Sequence, residues 1–107
     1  MSDFSQSVRR AAAKGLGSIL WSKLSQEDML EAQQKVLKAL LLATEDGEWV
    51  VRYAAIVGLE SLANTLAESQ PYLLPKITAR YSELIDSETE PAICARTKYA
   101  MSNFTND

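Results

Sequence analysis

Trp49, Tyr53, Ile56 and Glu60 recur at spacings of four, three and four residues. In a helix that spacing sets all four along one face. If the face is open, it offers an aromatic platform with one carboxylate. If it is covered, the aromatics pack against adjacent helices, the commoner fate of such residues. The remaining chemical repertoire is narrow. The chain has no histidine and one cysteine, Cys94. This excludes Ser–His and Cys–His nucleophile pairs, histidine metal sites and zinc clusters, and removes the commonest general base near neutral pH. Carboxylates, lysines, tyrosines and one thiol are left, and no catalytic residue is assigned. Cys94 stands among Ala92, Ile93 and Ala95, the setting of a small buried hydrophobe more than of an exposed nucleophile.

The elements that must position these residues repeat along the chain. Moving EWVVRYAAIVGLESLA (48–63) back by 43 residues sets Val51-Arg52 on Val8-Arg9 and Ala54-Ala55 on Ala11-Ala12. Gly58-Leu59 then meets Gly15-Leu16, and Ser61 meets Ser18, giving seven identities within eleven positions. Moving it forward by 42 gives a fainter copy: Glu48 meets Glu90, Val51 meets Ile93, and Gly58-Leu59 meets Ala100-Met101. In that copy Cys94 takes the arginine's place, with Arg96 two residues later. A period of 42–43 residues belongs to HEAT and armadillo repeats.

The expected fold is therefore an all-α, HEAT/armadillo-type α-solenoid, a single domain over 1–107 with about two and a half repeats. Five helices are predicted, over about 6–24, 26–44, 48–68, 72–86 and 90–103. Ser25 followed by Asp28 resembles a capping box with Asp in place of Glu. Pro71, Pro75 and Pro91 fall where helices begin and proline is tolerated. Ala11, Ala12 and Gly15, like Ala54, Ala55 and Gly58, let neighbouring helices approach closely. A mid-helix glycine costs about 1 kcal/mol against alanine, so Gly15 and Gly58 need such a packing reason. The valine–arginine–small-residue pattern marks inner helices, here the first, third and fifth. The first repeat then has no outer helix, which implies a fragment, a homodimer or a larger complex. Trp21, with Ile19 and Leu20 beside it, either marks an interface or folds under the second helix. Arg9 and Arg52 stand where HEAT repeats place an arginine that bonds to an inter-helix turn. Asp3 and Asp46, also 43 residues apart, are the expected partners in that ladder.

Composition limits the function classes. At 107 residues with 47% hydrophobic and 23% charged, the chain is globular and small for a free-standing enzyme. A net charge of −3, with Arg9-Arg10 and Lys14 the densest basic patch, argues against nucleic acid as a partner. The longest apolar run, Ala39 to Ala43, is too short for a bilayer. No signal peptide is readable at Met1-Ser2-Asp3, and one thiol suits a reducing compartment, so a cytoplasmic location is expected.

The run Glu-Trp-x-Val-Arg-Tyr-Ala-Ala with Gly-Leu-Glu, at Glu48 to Glu60, resembles the HEAT-repeat phycobilin lyases of the E/F type, in particular their F-type subunits. A weaker likeness runs from Pro91-Ala92-Ile93 to Tyr99-Ala100-Met101. The resemblance extends over about residues 5–103, and its middle third is the specific part. It implies a subunit or fragment of a lyase that attaches bilins to client cysteines of phycobiliproteins, or removes them. It implies an open-chain tetrapyrrole such as phycocyanobilin as substrate, with no tightly bound cofactor. The implied partner is a second HEAT lyase subunit, a phycobiliprotein or a second copy. On this reading Trp49, Tyr53 and Glu60 would receive the tetrapyrrole rings and their nitrogens, Arg10 would pair with a propionate, and Trp21 would meet a partner. Catalysis would be mainly positioning, carried out with a partner subunit. The other reading is a non-enzymatic adaptor that binds protein helices along its groove.

Overall fold

The computed structural model of the chain describes residues 25–105. The helix expected over 6–24, with Asp3, Arg9, Arg10 and Trp21, lies outside the described residues. Four helices follow: α1 (Gln26–Ala43), α2 (Trp49–Ser69), α3 (Leu74–Ser87) and α4 (Pro91–Thr105). The described residues include no strand.

Helix α1 begins where Ser25 Oγ accepts a hydrogen bond from the Asp28 amide at 3.2 Å, with Glu27 and Asp28 in the first turn. Both features favour a helix N-terminus. It buries Gln33, Val36, Leu37 and Leu40, a stripe at helical spacing, and leaves Lys35, Lys38 and Leu42 exposed. Thr44 ends it, its amide bonding back to Leu40 and Leu41. Asp46 Oδ1 then accepts from the Glu48 amide at 2.8 Å, which turns the chain into α2.

Helix α2 is covered on several sides, packing against α1, α3 and α4. Val51, Ala54, Ala55, Ile56, Gly58, Leu59, Leu62, Ala63 and Leu66 are all buried on it. Helix α3 starts at Leu74 and not at about 72, because Pro71–Leu73 forms a 3-10 turn first. Pro75 occupies its opening turn, where no amide is required.

Tyr81 of α3 ties the two layers together. It is fully buried, its hydroxyl donates to the Ile56 carbonyl of α2 at 2.9 Å, and its ring meets Phe104 of α4 edge-on at 5.8 Å. Burial pushes its phenol well above the ordinary value, so the hydroxyl stays a neutral donor. Consecutive repeats are further joined by polar rungs at a constant offset of 36 residues: Thr44 to Arg80, Arg52 to Glu88 and Glu60 to Arg96. No helix among the described residues is long and apolar enough to cross a membrane.

Candidate binding site

The expected aromatic face of α2 is only partly open. Trp49 is 43% exposed, and with Val50, Tyr53 and Ala92 it lines a shallow hollow of about 230 Å³ between α2 and α4. Ile56 does not share that face with the solvent: it is fully buried, with Tyr81 of α3 bonded to its carbonyl. Glu60 lies farther along, at a second hollow of about 190 Å³ with Ala63, Asn64, Asn103 and Phe104. Trp49 and Tyr53 are thus brought together, and Glu60 stands apart from them by two helical turns.

It is Arg96 of α4 that holds Glu60. Its Nη2 donates to Glu60 Oε1, and its guanidinium lies 4.9 Å from the centroid of the Tyr99 ring, within cation–π range. The hydrogen bond to Glu60 holds the guanidinium above its ordinary value, against the opposing effect of burial, and the charge of Glu60 adds to it. Asn103 donates to the other carboxylate oxygen, Oε2, at 2.7 Å. Glu60 is therefore aimed and charge-balanced, yet each oxygen keeps a further lone pair for an incoming N–H. Arg96 Nη1 is buried without a hydrogen-bond partner.

The sequence reading missed Arg96, Tyr99 and Asn103. Arg96 had stood out only as an arginine two residues out of register with Arg52. The readable signal was its 36-residue offset from Glu60, which has meaning only beside the other rungs.

Arg52 takes a different environment. Its Nε and Nη2 donate to both oxygens of Glu88 at 3.0 and 2.9 Å. Its Nη1 donates to the carbonyls of Asp46 and Gly47 at 2.9 and 3.3 Å. The expected pairing with Asp46 needs correction in detail. Asp46 offers its carbonyl, while the carboxylate in bidentate contact belongs to Glu88, in the turn of the following repeat. A fork of donors matches two carboxylate oxygens better than one. That contact keeps the Glu88 carboxyl below the ordinary carboxylate range. Cys94 is half-buried, its thiol donating to the Glu88 carbonyl at 3.2 Å.

The described helices form an all-α fold of the HEAT-repeat type. No family model matches the chain. It is 47% identical over 100 residues to a phycocyanobilin lyase subunit beta of Nostoc sp. PCC 7120, covering 94% of this chain and 48% of that protein. It is 40% identical over 103 residues to the phycocyanin alpha phycocyanobilin lyase CpcF of Synechocystis sp. PCC 6803, covering 96% and 46%. Among solved structures it resembles a chain in the complex of CpcE and CpcF of phycocyanin lyase from Nostoc sp. PCC 7120. The TM-score is 0.82 at 47% identity, over 92% of this chain and 55% of that one. Over most of its length the chain is similar to E/F-type phycobilin lyases, on the side of their beta or F-type subunits, and it spans about half the length of the curated relatives it matches.

Proposed function

We propose that the chain forms part of a phycobilin lyase subunit and holds an open-chain tetrapyrrole while a client phycobiliprotein's cysteine reacts with it. The observation that supports this reading best is the cluster of Glu60, Arg96 and Asn103 farther along the helix that carries the Trp49–Tyr53 hollow. Trp49 and Tyr53 give flat apolar contact for the pyrrole rings, and Glu60 accepts from their N–H groups. Arg96 and Asn103 hold that carboxylate in place. In the reaction the client's thiolate adds to the ethylidene carbon of the bilin, a C–S bond forms, and the neighbouring ring carbon takes up a proton. The chain's share is orientation, since its face holds no group suited to proton transfer near neutral pH. The CpcE–CpcF neighbour supports a second lyase subunit as partner.

The test is titration with phycocyanobilin, read by visible absorbance and circular dichroism, for the chain alone and with an E-type partner subunit added. A saturable red-shifted band with induced dichroism, lost in Tyr53→Ala and in Glu60→Ala, is the expected result. A free-bilin spectrum in both preparations overturns the reading and leaves the adaptor.

A further inference from the structure

A larger cleft, of about 600 Å³, lies between α1 and the stretch that leads into α3. It shares no residue with the Trp49 and Glu60 hollows. Its floor is apolar: Leu37 and Leu73 are buried and Leu41 half-buried. Tyr72 forms one wall and is 68% exposed, yet its ring is not loose. The Tyr72 hydroxyl donates to Gln70 Oε1 at 2.9 Å, and Gln34 Nε2 donates to the same oxygen at 2.8 Å. Gln70 is itself buried and donates to the Leu30 carbonyl and to Gln33 Oε1 at 3.1 and 2.9 Å. A buried amide network thus fixes an exposed aromatic ring in advance, which lowers the entropy lost when something packs on it.

Two lysines give the rim of this cleft a positive charge. Lys38 and Lys76 stand on its rim, both exposed. Among the described residues Lys35, Arg52, Arg80 and Arg96 are each committed to a carboxylate, whereas Lys38 and Lys76, like Lys98 outside the cleft, make no ion pair. In a chain of net charge −3, two uncommitted cations facing one apolar trough form a local field opposite to the overall one. A leucine floor between two helices, walled by a fixed tyrosine, suits the apolar stripe of a further helix.

We propose that the cleft between α1 and the Tyr72–Lys76 stretch is a docking groove for an acidic amphipathic helix of another protein. Its apolar stripe lies on Leu37, Leu41 and Leu73 against the Tyr72 ring, and its flanking carboxylates meet Lys38 and Lys76. The groove is separate from the bilin face, so the two proposals stand or fall independently.

The test uses the full chain and three model helices of about 18 residues, a length at which an isolated helix begins to persist. They share one leucine stripe and carry Glu, Gln or Lys beside it. Binding is followed by fluorescence anisotropy at two salt concentrations. The wild type is expected to prefer the Glu helix over the Lys helix by about tenfold, as two exposed ion pairs allow, and to lose much of that preference at high salt. The double variant K38E/K76E, checked for helicity by far-ultraviolet dichroism, should reverse the order. Tyr72→Ala should weaken all three helices, and Trp49→Ala none. Equal affinity for the three, no binding of any, or a preference that survives the charge reversal would each overturn the proposal.

Discussion

Two arginine–carboxylate pairs link the same repeats at the same 36-residue offset, and they differ in what surrounds them. Arg52 grips both oxygens of Glu88 and two backbone carbonyls, so its donors are taken up by the turns on either side. Arg96 reaches one oxygen of Glu60, lies over Tyr99 and leaves Nη1 without a partner. The first pair is closed and joins repeats; the second is open on one side, where Glu60 lines a hollow. Chemical type and sequence offset therefore do not assign a role to such a pair. The number of donors already satisfied does.

Removing the closed pair should have the largest effect on stability. Arg52→Ala is expected to destabilise the chain by about 2–3 kcal/mol, below the roughly 3–5 of full burial because the guanidinium keeps some contact with water. Urea denaturation measures it, and a loss under 1 kcal/mol would erase the contrast between the pairs. Arg96→Gln should cost less, about 1 kcal/mol, since one neutral hydrogen bond to Glu60 can persist. Its induced bilin dichroism should nonetheless fall sharply, whereas a correctly folded Arg52→Lys variant should keep it. If both variants bind bilin equally, the open pair has no special role in the site.

The pH dependence refines the same contrast. Arg52 holds the Glu88 carboxyl below its ordinary value of 4.5. A carboxyl depressed in the folded state stabilises fully above its unfolded pKa and loses that contribution as pH falls through the folded one. Wild-type stability should thus decline below about pH 4.5, and Glu88→Gln should flatten this part of the profile while lowering stability at neutral pH. An unchanged slope in the variant would assign the acid sensitivity to other carboxyls. The smallest effect belongs to Ser25→Ala, which removes the cap of α1 for about 0.5–1 kcal/mol. It should leave bilin dichroism untouched, a control that separates loss of fold from loss of site.

The amino-acid sequence by itself determined the repeat, the all-α class and the approximate helix starts. Those rest on local rules: apolar spacing, the Ser25 cap, prolines confined to opening turns, and small residues where helices cross. It also carried the family likeness in the stretch from Glu48 to Glu60. The tertiary structure alone decided how the polar rungs pair. Arg52 was legible as a ladder arginine, but whether it meets the carboxylate of Asp46 or that of Glu88 depends on how the turn after α3 comes back across α2. In the same way Trp49, Tyr53, Ile56 and Glu60 follow one helical spacing. Spacing gives direction from a single axis and not what lies above it, so Ile56 disappears beneath neighbouring helices while Trp49 remains open. Arg96, Tyr99 and Asn103 complete the candidate site from a helix more than thirty residues away. Their roles stay invisible until packing places α4 beside α2, because a side chain's partners are set by distances in space that no one-dimensional period contains.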